Sequence, residues 1–403
     1  MKSDPSASGG AASRDSTDFS LVLGGPLYQL LRRARLSGDT LQLLRQRVIA
    51  ISLVAWLPLL VLSALEGTAW GGNAAIPFLL DVDAHVRFLV AVPLMIAAEI
   101  VVHRRMRLLA RQFLDRHLIP DSARPRFDHA IASAMRLRNS VLAEVLLIAF
   151  VYVVGIFVIW RHYAAIDTAT WYATQSADGT ALSLAGTWLV FVSLPVFQFL
   201  LCRWYYRAFI WARLLWQVSR IELSLVPTHP DRLGGLGFLA ATPYAFALLS
   251  AAHGTFLAGR LANHIFHLGA ALPDFKIEIA AVVALLLCVT AGPLLVFSPQ
   301  LASAKRTGKR EYDTLAERYV REFDTKWLRG GAPGDESLMG SGDIQSLADL
   351  GNSLDVVRNM RLVPVTKDTI IQLTAAALAP IVPLVLTMMP LEEFLKKLLG
   401  ILI

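Results

Sequence analysis

The sequence predicts an all-α polytopic membrane protein with about seven transmembrane helices and a small cytoplasmic helical region. Its 403 residues are 55% hydrophobic and only 17% charged, with a mean hydropathy of +0.52, whereas soluble domains carry about 25% charged residues. The apolar residues form about seven blocks, each near the ~20 residues that a helix needs to cross a bilayer. This pattern excludes a disordered chain, a disulfide scaffold and an ordinary soluble enzyme. The spans are expected to be helices, because the bilayer core has no water to bond backbone N–H and C=O groups, and a helix bonds all of these groups within itself.

The chain before the first apolar block has two parts. Residues 1–20 are rich in Ser, Gly, Ala and Asp and contain no long apolar run, so we expect a disordered tail. Residues 21–47 mix leucines with arginines. This mixture predicts an amphipathic helix at the cytoplasmic membrane interface, against anionic lipid headgroups.

Six spans are predicted within residues 48–299, and a seventh is predicted within 367–403, followed by a short C-terminal amphipathic helix. The predicted spans cover residues 48–65, 85–102, 141–160, 184–202, 236–259, 279–297 and 369–389.

The basic residues predict the orientation of the chain. All but six of the 38 lysines and arginines fall on one side of the predicted spans; the six are Arg87, Arg161, Arg260, Lys276, Lys396 and Lys397. The positive-inside rule therefore predicts a cytoplasmic N-terminus. The same rule accounts for the net charge of +7, so no nucleic-acid partner is predicted.

Three cytoplasmic helical regions are expected. Residues 103–140 predict two short helices broken at Pro120 and Pro125. In 203–224, aromatic and basic residues interleave directly after the fourth span. That position favours a helix lying on anionic lipid headgroups over one that binds nucleic acid. The third region is 300–366.

Region 300–366 begins with a long helix that continues the sixth span to about residue 329. Aromatic residues and leucines recur there every three or four positions and form one apolar stripe. After a Gly/Ser linker, Asp343 is expected to cap a second amphipathic helix. The two stripes either pack on each other and on 103–140, or form an oligomer or partner interface. The candidate interface residues are Tyr312, Tyr319, Phe323 and Trp327.

Two carboxylates, Glu99 and Glu144, are expected inside the membrane near the cytoplasmic ends of the second and third spans. Antiparallel helices would hold them at one depth, roughly 5–6 Å below the boundary. The functional interpretation is a cation or proton site at an inner pore mouth. The alternative is that they pair with His103, Arg104 or Arg138, or extend their carboxylates to water at the membrane surface.

His253 falls in the outer half of the predicted fifth span. Its imidazole could relay protons, or it could hydrogen-bond a neighbouring helix. Ser250, Gly254 and Ala258 form a row of small residues that permits close helix approach. We therefore expect the fifth span to be central in the bundle.

Prolines interrupt six of the seven predicted spans. Each proline removes a helical hydrogen bond and favours a kink, and kinked helices provide the hinges and cavities that transporters use. Proline is also common in membrane helices, so the count favours transport only modestly. The residues are Pro58, Pro93, Pro195, Pro243, Pro293, Pro380 and Pro383.

The segment 228–237 reads Thr-His-Pro-Asp-Arg-Leu-Gly-Gly-Leu-Gly. As a ligand loop it would offer backbone N–H groups and an arginine to an anion, and a histidine with an aspartate for acid–base chemistry. The alternative is a tight turn in which the aspartate caps the next helix. The candidate residues are His229, Asp231, Arg232, Gly234, Gly235 and Gly237.

No cofactor, metal site or catalytic residue is predicted. His264 and His267 have H-x-x-H spacing and Asp274 follows in the same loop, but no cysteine is near them. Cys202 and Cys288 fall in apolar blocks and are expected to be small packing residues.

Two stretches carry a resemblance to a known family. The loop 228–239 and the stretch Val-Val-Arg-Asn-Met-Arg-Leu-Val-Pro at 356–364 resemble parts of an uncharacterised family of bacterial polytopic inner-membrane proteins of about this length. The resemblance covers most of the chain after residue 40. It implies the bacterial inner (plasma) membrane as the location and brings no activity.

Three functions fit these features. The leading hypothesis is a homo-oligomeric inner-membrane channel or transporter for a small ion or solute, with Glu99, Glu144 and His253 along its route. The second is a membrane sensor or scaffold that binds a cytoplasmic partner through 300–362. The third is an enzyme that modifies lipid headgroups with His229 and Asp231, and an enzyme is less expected than a protein without catalytic activity.

Overall fold

A computed structural model describes residues 19–22, 24–26, 29, 44–72, 74–155, 170–176 and 179–388. Several predicted segments lie outside these residues. They are the tail 1–18, most of the interfacial helix within 21–47, the end of the third span at 156–160, and the C-terminal helix within 391–403.

Helices form almost all of the regular structure in the described residues, which confirms the all-α prediction. One antiparallel hairpin pairs β1 (Ala173–Ser176) with β2 (Gly179–Leu182). The helices are α1 (Leu44–Leu65), α2 (Val82–Asp115), α3 (Arg124–Arg138), α4 (Val141–Gly155), α5 (Leu184–Val218), α6 (Leu236–Leu268), α7 (Leu272–Leu328), α8 (Gly342–Arg358) and α9 (Lys367–Met388).

Six of these helices, α1, α2, α5, α6, α7 and α9, are long and apolar enough to cross a membrane. The segment 121–138, which ends with α3, meets α4 at a 47° bend, and the pair makes a seventh span if it counts as one. Large aliphatic side chains of α4 lie on the outside of the bundle, as contact with lipid requires; Leu142 and Val153 are 67% and 70% exposed. The chain is a polytopic membrane protein.

Two helices run past the span ends predicted from charge. α5 continues to Val218, so the separate interfacial helix predicted in 203–224 is wrong. Trp204 and Trp211, on its extension, are 2% and 1% exposed because they face the protein interior. α2 likewise continues to Asp115, and only the second helix predicted in 103–140, α3, is separate. We call the end where α2 leads to α3 and α5 leads to α6 the basic end.

α6 is the central helix, as its row of small residues predicts. In its apolar stretch 61% of the residues are buried, against 17% in α7. Gly254 allows the closest approach, because a Cβ atom there would lie 1.9 Å from the carbonyl oxygen of Ala377 in α9. Any larger residue at position 254 would force α6 and α9 apart.

A side chain from α5 repairs the hydrogen bond that a proline removes from α1. Pro58 has no N–H to donate to the carbonyl of Val54 four residues earlier. The indole N–H of Trp188 donates to this oxygen at 3.2 Å. An unbonded carbonyl inside a membrane is costly, so this contact fixes α5 at the kink of α1.

The hydrogen bond lost at a second proline is also replaced by a side chain of a neighbouring helix. Pro195 in α5 cannot donate to the carbonyl of Phe191, and the hydroxyl of Tyr152 in α4 donates there at 3.2 Å. Side chains of neighbouring helices therefore secure the bundle at two kinks.

α2 and α5 share one interrupted architecture. Each starts after a capping side chain, Asp81 or Ser183, and continues with five α-helical and then five π-helical residues. In each, the first N–H after the π turn bonds the carbonyl five residues earlier, and a proline comes next. Over these 13 positions the two sequences are identical at only two, so the repeat is not apparent in the sequence. The π turns are Arg87–Ala91 and Leu189–Ser193, and the prolines are Pro93 and Pro195.

Residues 19–26, which we call the strap, pack against the basic end in the parts that the structure describes. Phe19 and Ser20 are 1% and 3% exposed. The Phe19 ring lies 6.2 Å from that of Trp211, and Arg138 donates to the Ser20 carbonyl at 2.6 Å. Disorder of the tail 1–20 is therefore wrong for its last two residues. The apolar run that includes these two residues is too short for the composition of the tail to predict that they are ordered.

We expect the cost of Trp188→Phe to depend on Pro58. Loss of the indole donor should destabilise the protein by about 0.5–1.5 kcal/mol. In a Pro58→Ala background the new backbone N–H can serve Val54, so Trp188→Phe should cost clearly less. Thermal unfolding midpoints in detergent micelles measure both, with Trp216→Phe at an exposed indole as the control. Equal losses in the two backgrounds would contradict this account of the kink.

Candidate functional site

A buried ion-pair cluster lies near the basic end and joins α1, α2 and α5. Glu99 accepts hydrogen bonds from Arg47 at 2.7 Å and from Arg207 at 2.8 Å. All three residues are 3–4% exposed. The Arg207 guanidinium also lies 4.9 Å from the centre of the Trp204 ring. Both oxygens of Glu99 therefore bond arginines, which leaves them poorly placed to bind a passing cation.

Arg203 brings the two predicted intramembrane carboxylates together. Its guanidinium nitrogens lie 3.8 Å from an oxygen of Glu99 and 3.8 Å from an oxygen of Glu144. We call Arg47, Glu99, Glu144, Arg203 and Arg207 the charge cluster. Its geometry favours pairing over a cation site.

The expected pairing of these two carboxylates with His103, Arg104 or Arg138 is wrong for the described residues. Other arginines are their partners. His103 lies 2.8 Å from the Ser20 hydroxyl, and Arg138 bonds the Ser20 carbonyl. The actual partners are not predicted by the sequence, because an arginine directly after an apolar block, such as Arg203, indicates the end of a span. As α5 continues, Arg203 and Arg207 lie one turn apart on its inner face.

His253 does not join the charge cluster. Its Nδ1 lies 2.8 Å from the Leu249 carbonyl, and its Nε2 lies 2.9 Å from the Tyr205 hydroxyl. A carbonyl only accepts, so Nδ1 carries the proton and Nε2 accepts from Tyr205. α6 runs from Leu236 to Leu268, so His253 lies just beyond the middle of this helix, in the half expected for it. It ties α6 to α5, the alternative given for it.

The loop 228–237 is a closed turn around one carboxylate. Asp231 accepts from the backbone N–H groups of Leu233 at 2.7 Å, Gly235 at 3.2 Å and Gly237 at 2.8 Å. Its Oδ1 also lies 2.9 Å from His229 Nδ1. The N–H groups that an anion would need are already bonded, so the geometry favours the turn over an anion site or an acid–base pair.

The environment of Asp231 keeps this carboxylate charged. Burial alone raises its pKa. The backbone hydrogen bonds from Leu233, Gly237 and Gly235, together with the nearby His229, outweigh burial and hold the pKa below its usual value.

The same loop is joined to the connection between α8 and α9. The Arg361 N–H donates to the Arg232 carbonyl at 2.7 Å, and the Arg361 guanidinium donates to the Asp231 carbonyl at 3.1 Å. The loop 228–239 and the stretch 356–364 therefore touch. We call these contacts, with the adjoining ones of α7, the clasp.

α7 takes part in the clasp through a close helix–loop contact. A Cβ atom at Gly308 would lie 2.5 Å from Pro227, so only glycine fits there without movement. Lys305 donates to the Met360 carbonyl at 2.8 Å. Through the clasp, the loop before α6, the helix α7 and the connection to α9 are held together.

The predicted interface stripe packs within the protein. We call residues 298–358 the arm, which consists of α7 from Ser298 onward, a linker, and α8. The aromatic residues of α7 are half-buried, and α7 packs against α8 along its length outside the spans. Tyr319 and Trp327 bond Asp343 of α8, which favours packing of the two stripes on each other, one of the two alternatives. The residues concerned are Tyr312, Tyr319, Phe323 and Trp327.

The outer part of the arm closes on Asp343. Lys326 and the Trp327 indole donate to its carboxylate at 2.9 and 2.8 Å, and the Tyr319 hydroxyl donates to its carbonyl at 3.1 Å. These hydrogen bonds from Lys326 and Trp327 lower the pKa of Asp343. The first residues of α8 are thus fixed against the far end of α7.

A second polar cluster lies at the other end of the bundle, and the sequence analysis did not predict it. Asp81 accepts from the Trp171 indole and from the Asn263 amide, both at 2.7 Å. Asp83 pairs with Arg87, whose guanidinium lies 5.6 and 4.9 Å from the ring centres of Phe197 and Phe256. The four-residue spacing of Asp83 and Arg87 is a usable sequence signal for the pair.

No group of three or more His, Cys, Asp or Glu side chains suited to a metal ion occurs in the described part of the chain. His264 lies 2.9 Å from the Arg260 carbonyl, and His267 lies 3.0 Å from the Leu80 carbonyl.

Loss of the Asp231 charge should loosen the clasp. Because the pKa of Asp231 is lowered in the folded protein, its stabilisation is present above the unfolded pKa of about 3.9 and is lost as pH falls through the lower folded value. At pH 7 we expect Asp231→Asn to speed hydrogen exchange of the amides in 233–237 and 359–361. Asp335→Asn, an exposed change in the arm linker, serves as the control. Unchanged exchange in the first variant would show that Asp231 does not hold the loop.

The chain was also compared with known proteins. No family model, no curated protein and no solved structure matches it.

Proposed function

We propose that this membrane protein is a scaffold or sensor that holds a cytoplasmic protein through the end of its arm. The observation that carries the proposal is a set of large apolar side chains exposed where the arm is farthest from the spans. With the basic end placed in the cytoplasm by the positive-inside rule, and the bilayer taken as a bacterial inner membrane, the arm projects into the cytoplasm.

The arm is an extension of a membrane span. α7 follows one helical path from Leu272 to Leu328. Its 26-residue α-helix from Ser298 and the five-residue turn that follows reach about 46 Å at 1.5 Å per residue. This length carries the far end of the arm beyond the lipid headgroups.

The far end, which we call the tip, exposes four large apolar residues. Lys326 bonds both Glu336 and Asp343, which folds the linker back against the end of α7. Exposed apolar clusters in water mark binding surfaces for other proteins. The tip residues are Leu328 at 70%, Leu338 at 41%, Met339 at 89% and Ile344 at 49% exposed.

The clasp supports a sensing role in addition to anchoring. It joins the base of the arm to the loop that enters α6 and to the segment that enters α9, and α6 is the most buried span. A shift of α6 against α9 would therefore reach the arm through bonded neighbours.

Photocrosslinking in living cells tests the scaffold. With p-benzoylphenylalanine in place of Met339 in the full chain, we expect an adduct with one different polypeptide. Leu328→Asp should reduce its yield roughly tenfold, as the loss of a contact worth about 1.4 kcal/mol would. The same probe at Glu317, exposed in the middle of the arm, should give no such adduct. Adducts with only a second copy of the chain, or none, would refute the scaffold.

Transport of a small ion or solute by a homo-oligomer is a second candidate, which the twin interruptions of α2 and α5 favour. π turns recur at functional sites in helices, and paired broken helices are typical of transporters. α1 packs against both turns, and the Ser193 hydroxyl donates to the Ala55 carbonyl at 2.7 Å. Movement at either turn would displace α1.

Flux into proteoliposomes tests this candidate. We expect uptake of at least one of H⁺, Na⁺, K⁺ or Cl⁻ by the wild type. The Pro93→Ala, Pro195→Ala double variant should reduce it roughly tenfold, because its helices lose their preformed breaks. Pro333→Ala, in the exposed arm linker, should leave it unchanged. No flux of these ions, or equal flux in all three proteins, would count against transport.

A further inference from the structure

Within the part of the chain that the structure describes, the positive and negative charges of the charge cluster are unequal in number. The cluster contains three arginines and two glutamates, so it carries one positive charge in excess. Every one of these residues is at most 9% exposed. A net charge that is buried and uncompensated is strongly unfavourable near a membrane.

Donor groups of the cluster also lack acceptors. Arg203 approaches both carboxylates only to 3.8 Å, beyond hydrogen-bond distance, and no described residue accepts a hydrogen bond from it. It is 6% exposed. The buried Nε of Arg47 has no hydrogen-bond partner among the described residues either. Within the described residues, therefore, Arg47 holds one buried N–H group without an acceptor, and the Arg203 guanidinium makes ion pairs but no hydrogen bond.

We propose that the charge cluster binds the oxyanion of a phosphate, with Arg203 as its principal donor and Arg47 as a second one. A guanidinium presents paired N–H groups that match two oxygens of a phosphate. One bound anion would cancel the excess charge and occupy the free donors at once. The same chemistry is offered by the headgroup of an anionic phospholipid and by free phosphate.

The position of the cluster suits either source. It lies near the basic end, where the strap and the end of α3 adjoin it. A Cβ atom at Gly25 would lie 3.1 Å from both Glu144 Oε1 and the Arg138 carbonyl oxygen. This inference is independent of the proposed function, since neither the arm nor the twin π turns enters it.

Thermal unfolding in lipid nanodiscs tests the site. In phosphatidylcholine discs we expect inorganic phosphate to raise the unfolding midpoint of the wild type by ~2 °C or more relative to chloride at equal ionic strength. In a second experiment, phosphatidylglycerol replaces part of the phosphatidylcholine and no phosphate is added. A rise of the unfolding midpoint in the first experiment identifies a free anion as the ligand, and a rise in the second identifies a lipid headgroup. Absence of a rise in both experiments would overturn the proposal.

Charge variants separate binding from structure. Arg203→Gln leaves two arginines and two glutamates, so the anion-dependent rise should disappear; Arg136→Gln, at an exposed position of α3, should retain it. If Arg203→Gln does not fold, Glu144→Gln raises the excess charge to two and should enlarge the rise. An undiminished rise in folded Arg203→Gln, or no enlargement in Glu144→Gln, would show that the cluster is only a structural ion pair.

Discussion

The carboxylate of Glu99 is the interaction on which the bundle most depends. It draws one arginine from α1 and another from α5 to the same point of α2, and Arg203 extends the contact to Glu144 in α4. A lone carboxylate at this depth would be expelled toward water or neutralised. Pairing keeps it charged, and removal of one partner from a buried pair typically costs 3–5 kcal/mol. Four helices are thereby fixed relative to one another before any apolar packing is counted.

The features that could be predicted are those with a strong local signal. Apolar blocks predicted the six described helices that are long and apolar enough to cross a membrane, and the stripe beginning at Tyr312 predicted that the sixth span continues as a long helix. The charged partners of Glu99 could not be predicted, since an arginine after an apolar block, such as Arg203, normally marks the end of a span. Whether the helix continues past such an arginine with its side chain buried depends on a carboxylate about a hundred positions away in the sequence. A single sequence does not show that the two residues pair.

The loop 228–237 illustrates a different limit. Its glycines, histidine and aspartate suit both a ligand cradle and a tight turn, because both need backbone N–H groups turned toward one negative group. The structure supplies that group from within, through Asp231. Composition alone cannot tell an internal carboxylate from an external anion. The unbonded donors are instead found at Arg203 and Arg47, which the sequence offers no reason to associate.

The π turns of α2 and α5 also set the angular position of everything that follows them. A π turn accommodates one residue more than regular α-helix does, and each residue advances a helix by about 100°. If Arg87–Ala91 closed into regular α-helix with all its residues kept, Glu99 would rotate by roughly that angle away from Arg47. The same closure at Leu189–Ser193 would turn Arg203 and Arg207 away from Glu99. The orientation of the buried charges thus depends on one wide turn upstream in each helix.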